Sequence, residues 1–330
     1  MSVALTKSRC INALRAYASY ALSRFGLVRI SHAPLFVSVE PAAVCQLRCP
    51  ACPVGMRNEQ SEIRRQRSAL MSREVWQRVL AQIRDKAWVV QFYFQGEPLL
   101  NKDLPQMISD AREAGLYTIV STNAQTMTPE TAEALVHAGL DRIIVSMDGL
   151  TDESYNAYRV GGSVAKTKAA LRYLREAKEK HHTPCTLHPT PTIELQCLRL
   201  RTNEHEWAQF RKEYKRLGAD RLSFKTAQLY DYADGHPLMP SDPRYSRYIK
   251  GADGHYHRKK RSKRCWRVWS GVVVSASGDV LPCCYDKAHA YTYGNIMTAP
   301  LRDLFAGNQA DAFRRAANRQ TPYICQECWK

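Results

Sequence analysis

The chain has 330 residues, with 48 Lys and Arg against 31 Asp and Glu, for a formal net charge of +17. That length buries a substantial core, enough for one large domain and a smaller one. No apolar run reaches membrane-spanning length, and the N-terminus lacks the compact apolar stretch and cleavage site of a secretory signal. Eleven cysteines without an export signal predict a reducing, cytoplasmic setting, where clustered thiolates bind metal or do chemistry.

In chain order, residues 7–25 form a basic amphipathic pattern with Ile11, Leu14, Ala18, Leu22 and Phe25 on one face. This helix is expected to pack on the barrel, with a membrane surface as the alternative partner. LFVSVE (35–40), VVQFYF (89–94), YTIVS (117–121), RIIVSM (142–147), TIELQCL (192–198) and RLSFK (221–225) read as strands. Helical patterns lie between them. One starts at the cap Ser72, with Glu74 in its first turn. Another has Thr128 as cap, Pro129 in the first position and Gly139 as stop, and two more cover 163–180 and 203–217. Alternating strands and helices imply an α/β fold with a parallel sheet and right-handed crossovers, whose ligands sit at the strands' C-terminal ends. Residues 230–262, rich in Gly, Pro, Tyr and charge, read as a long connection. This predicts an N-terminal extension over 1–34, a main domain over 35–235 and a small domain over 236–330.

AVCQLRCPACPVG follows the first strand and carries Cys45, Cys49 and Cys52. A closed zinc site or an ordinary iron–sulfur cluster takes four protein ligands, so three thiolates leave one metal position open for a reactive ligand. CQLRCPAC resembles the CxxxCxxC motif of radical S-adenosylmethionine (SAM) enzymes. The resemblance implies a partial (β/α)6 barrel and a [4Fe–4S] cluster held by these three cysteines. SAM chelates the fourth iron and is cleaved reductively to a 5′-deoxyadenosyl radical, which abstracts a substrate hydrogen.

FQGEPLL (94–100) resembles the family's GGEP motif, with Gln95 in place of its first glycine. It nominates Gly96, Glu97 and Pro98 for the SAM methionine, with the Glu97 carboxylate as an acceptor for its ammonium. STN (121–123) and SMDG (146–149) end the third and fourth strands and nominate Asn123, Ser146 and Asp148, with Ser146 for the ribose. Arg159, in YNAYRVGG, suits the methionine carboxylate.

Cys265, GDVLPC (278–283) and CQEC (325–328) resemble the shortened SPASM or "Twitch" domain. The resemblance makes Cys265, Cys283, Cys325 and Cys328 ligands of an auxiliary [4Fe–4S] cluster. On spacing alone a four-cysteine zinc site fits equally, and Cys284 is an alternative to Cys283. Cys10, Cys185 and Cys197 read as small core residues.

A second cluster beside the first implies an electron acceptor for the substrate radical, hence a net two-electron oxidation. Asp286 and Tyr285 are candidate bases by position. A small-molecule substrate is the main expectation, since no separate peptide-recognition domain is evident. A radical peptide maturase is the alternative, and a non-catalytic Fe–S or zinc module the second. A flavodoxin or ferredoxin is the expected electron donor. RKKRSKR (258–264) reads as a solvated charge run; without an aromatic platform, nucleic acid is not the expected partner.

Overall fold

A computed structural model describes residues 4–56, 70–181, 190–259 and 265–328. The six expected strands all form: β1 (Phe36–Val39), β2 (Val89–Phe92), β3 (Tyr117–Thr122), β4 (Arg142–Ser146), β5 (Thr192–Arg199) and β6 (Arg221–Thr226). They pair in parallel in chain order. Connecting helices include α2 (Arg73–Ile83), α3 (Leu104–Glu113), α4 (Pro129–His137), α5 (Asp152–Asn156), α6 (Val164–His181) and α7 (Trp207–Glu213). Ser72 and Thr128 cap their helices as expected, accepting from the Val75 and Thr131 amides. The pattern expected over 203–217 divides into a 3-10 turn, Arg201–Glu206, and α7.

Strand alternation gives the sheet two different faces. Val37, Val39, Val90, Phe92, Val120, Ile143, Val145, Ile193 and Leu195 point to the helices and join one apolar core. The opposite face is polar. There the Ser38 hydroxyl donates to Gln91 Oε1 at 3.0 Å, Arg142 pairs with Glu194, and Ser223 donates to Glu194 at 2.6 Å. The result is a partial (β/α)6 barrel with a dry outside and a polar concavity.

The stretch expected as a plain connection contains the hairpin β7 (Tyr248–Lys250) and β8 (Tyr256–Arg258). Together with Leu229, Leu238 and Met239, Tyr248 forms a second apolar cluster that covers Leu47 and Cys49. The C-terminal segment then continues the main sheet. β9 (Gly271–Val274) lies parallel to β1, β10 (Asp279–Leu281) antiparallel to β9, and β11 (Gly294–Asn295) antiparallel to β10. Its helices are α8 (Arg267–Ser270), α9 (Leu301–Phe305), α10 (Asn308–Asn318) and α11 (Tyr323–Gln326).

The N-terminal helix α1 (Lys7–Leu22) forms, but it turns its polar face inward. Arg9 is 1% exposed and donates to the carbonyls of Ala4, Arg84, Ala114 and Gly115 at 2.6–2.9 Å. The last three lie at the C-terminal ends of α2 and α3, where partial negative charge favours a cation. Asn12 bonds Ala33 through both amide atoms and also the Lys86 carbonyl. The helix thus packs on the barrel, and Ile11, Leu14, Leu22 and Phe25 face outward. Cys10 is exposed rather than core, Cys197 is fully buried, and Cys185 lies outside the described residues.

Candidate active site

The candidate residues meet where strand C-terminal ends converge. A cavity of about 190 Å³ is walled by Cys45, Cys49, Cys52, Gln95, Gly96, Glu97, Asn123, Ser146 and Arg159. Two glycines allow this convergence. A Cβ on Gly96 would stand 2.0 Å from the Ala42 carbonyl oxygen and 2.6 Å from that of Val44. A Cβ on Gly55 would stand 2.4 Å from the Cys49 oxygen, where the cysteine loop folds back on itself.

The thiols differ in setting. Cys45 accepts from the Leu47 amide and the Asn123 side-chain amide, each at 3.4 Å. Cys49 is 5% exposed, and burial pushes its thiol up to about 11. All three are free.

Glu97 is buried and committed to the protein. Its Oε1 accepts from the Leu99 amide and the Thr122 hydroxyl, and its Oε2 from the Asn123 amide at 2.8 Å. Burial pushes its pKa up, and the hydrogen bonds from Thr122 and Asn123 oppose that shift. The carboxylate thus ties the loop after β2 to the end of β3. Pro98 opens the 3-10 turn that Glu97 caps. Asp148 is fully buried outside the cavity wall, accepting from Arg159 Nε and from the Leu198 amide, each at 2.6 Å. It aims Arg159 at the thiols instead of touching the cavity itself.

The Gln95 substitution has a structural partner. Its side-chain amide donates to the Lys287 carbonyl at 2.9 Å, linking this loop to the one that carries Cys283 and Cys284.

A second cavity, of about 440 Å³, lies between Ser38 and Gln91 of the concave face and Cys265, Cys283 and Cys284. The charged neighbours of Cys283 include Cys284, Cys265 and Cys328, and those of Cys325 include Cys265, Cys328 and Arg258. Cys284 instead accepts from Arg267 Nη1 at 3.3 Å. Of the charge run, Arg258 donates to the Cys328 carbonyl at 2.7 Å, and residues 260–264 lie outside the described residues.

Both sites fit iron–sulfur clusters by their donor chemistry, since each gathers cysteine thiols beside a cavity. Among the described residues, no three His, Cys, Asp or Glu side chains are arranged to hold a single metal ion.

The structure gives both candidate bases protein partners. Asp286 is fully buried, and its two carboxylate oxygens accept from the Ala290 and Tyr291 amides at 2.8 and 2.9 Å. It organises a turn and lines neither cavity. The Tyr285 hydroxyl accepts from Arg247 at 3.0 Å and does not line either cavity. Sequence reasoning missed Tyr93 and Thr122, although their position at strand ends marked them; Tyr158 and Arg267 carried no signal beyond adjacency to Arg159 and Cys265.

Comparison with known proteins agrees with this geometry. A family model of the radical SAM superfamily matches residues 39–195, and an iron–sulfur cluster-binding domain model, SPASM, matches residues 265–329. A PqqA peptide cyclase of Streptomyces rochei is 28% identical over 320 residues, covering 90% of this chain and 82% of the relative. One from Rhodopseudomonas palustris is 29% identical over 273 residues, covering 76% and 67%. Streptococcus suis SuiB bound to the precursor peptide SuiA shares the fold with a TM-score of 0.61 at 17% identity, covering 92% of this chain and 71% of that one. The chain belongs to the radical SAM superfamily, with a SAM-binding [4Fe–4S] site on its barrel and a SPASM iron–sulfur domain completing its sheet.

Proposed function

We propose that the protein modifies a peptide by radical SAM chemistry. The observation that carries this reading is that relatives matching up to nine-tenths of the chain are named peptide cyclases. The small-molecule expectation rested on the lack of a separate peptide-recognition domain. The SuiB complex weakens that ground, because a chain of this fold is bound there to a precursor peptide.

Cys45, Cys49 and Cys52 hold the first cluster, and Cys265, Cys283, Cys325 and Cys328 the auxiliary one. With SAM bound, the first cluster would supply radical chemistry for hydrogen abstraction. The Arg159 guanidinium, held by Asp148, pairs with the methionine carboxylate. With the Glu97 carboxylate occupied, the backbone carbonyls of Gln95 and Gly96 take the methionine ammonium. Ser146 takes the ribose, and Asn123 steadies Cys45. Cys283 is preferred to Cys284 as ligand because four residues separate it from Gly278, the spacing of the domain it resembles. The larger cavity sets Cys265 and Cys283 against Ser38 and Gln91 of the concave face, which leaves room for a peptide side chain beside the auxiliary site. The electron enters from a flavodoxin or ferredoxin.

The test is peptide dependence. Anaerobic holoprotein is incubated with SAM, dithionite and the peptides encoded by short reading frames beside its gene. Faster SAM cleavage with one of these peptides supports the reading. Stimulation only by a small alcohol or sugar overturns it.

A further inference from the structure

We propose that α1 docks the protein on the surface of an anionic lipid bilayer. The helix is anchored to the barrel by its polar side, through Arg9 and Asn12, with Ser19 bonded to His32. In a 3.6-residue repeat this anchoring leaves the opposite side free. That side is apolar: Leu14 is 71% exposed, Tyr17 67%, Phe25 80% and Leu27 56%, with Ile11 and Leu22 beside them. Exposed large apolar side chains gathered on one helix and its continuation mark an interaction surface.

Charge selects the occupant. Lys7, Arg15, Arg24 and Arg29 are exposed around the stripe, and residues 1–39 contain no Asp or Glu. A second copy would bring like charges against like, which disfavours self-association. Anionic headgroups complement the basic rim, while Leu, Phe and Tyr side chains enter the boundary with the acyl chains. No helix among the described residues is long and apolar enough to cross a membrane, so α1 lies on the surface.

The experiment is vesicle flotation of the anaerobic holoprotein. Vesicles of phosphatidylcholine with about 30% phosphatidylglycerol are compared with pure phosphatidylcholine, at about 0.1 and 0.5 M salt. The protein should float with the anionic vesicles, less so at high salt, and not with neutral ones. L14D combined with F25D removes two exposed apolar side chains and should weaken binding by roughly tenfold or more. SAM cleavage without vesicles should be unchanged, which establishes that the variant is folded. Absence from anionic vesicles, equal binding to neutral ones, or undiminished binding by the variant would overturn the proposal. So would a dimer in solution that L14D/F25D dissociates, which would make a second copy the occupant.

Discussion

Asp286 gives a sharp test of structural against catalytic duty, because it sits two residues beyond the SPASM cysteine pair with no solvent access. Asp286→Asn keeps one acceptor and turns an amide N–H against the other backbone donor, either Ala290 or Tyr291. Losing one charge-assisted hydrogen bond in a buried site removes about 1.5–3 kcal/mol. Unfolding entropy of about 2.1 cal/mol/K per residue, over a chain of this length, converts that to a fall of roughly 2–4 °C in the melting midpoint. The turn from 286 to 291 also supports Cys283, whose carbonyl accepts from the Asp286 amide at 3.2 Å. Iron bound in the auxiliary site should therefore fall. SAM cleavage at the barrel site should persist. Thermal melting under argon, iron analysis and 5′-deoxyadenosine formation measure the three effects separately. Unchanged melting and iron content, with substrate conversion alone abolished, would refute the structural assignment and restore Asp286 as a base.

Arg159→Gln should weaken SAM binding to the holoprotein roughly ten- to a hundredfold, the contribution of one charge-assisted contact, as read by calorimetric titration; unchanged affinity would remove Arg159 from SAM recognition. Gly96→Ala places a methyl 2.0 Å from the Ala42 oxygen and should displace the loop after β2, abolishing SAM cleavage while leaving auxiliary iron in place. Glu40 is 2% exposed; burial raises its pKa, opposed by the hydrogen bond from the Ala276 amide and by the charges of His289 and Lys287. Its folded pKa lies above the unfolded one, so its contribution is fully present below the unfolded value and is lost as pH rises through the folded value. Glu40→Gln should therefore gain in melting temperature relative to the parent between pH 5 and pH 8, and a difference that shrinks over that range would contradict the sign.

The six barrel strands were legible because each is a β-branched or aromatic run bounded by turn residues and capped helices. The cysteine spacings were legible because covalent ligand chemistry is written directly into sequence. The orientation of α1 was not. Periodicity located the stripe from Ile11 to Phe25, but which side met the protein was decided by Arg9 and Asn12 reaching helix C-termini and carbonyls distant in sequence. β9 was hidden for a similar reason: GVVV is a four-residue apolar run, and its place beside β1 depends on a parallel pairing across more than two hundred residues. At the site, Glu97 and Asp148 were found as residues but not as roles. Their partners Thr122, Asn123, Leu198 and Arg159 come from other elements, and only the assembled barrel brings them within hydrogen-bond distance.

The peptide reading is tested most directly by coupling. Reconstituted holoprotein, SAM, a reductant and the candidate peptide are combined, and mass spectrometry follows 5′-deoxyadenosine together with the peptide. The account predicts a peptide product lighter by two hydrogen atoms, formed in step with 5′-deoxyadenosine and absent when Cys45, Cys49 and Cys52 are replaced by Ala. An unmodified peptide, with 5′-deoxyadenosine formed in step with oxidation of a small alcohol or sugar, would contradict it.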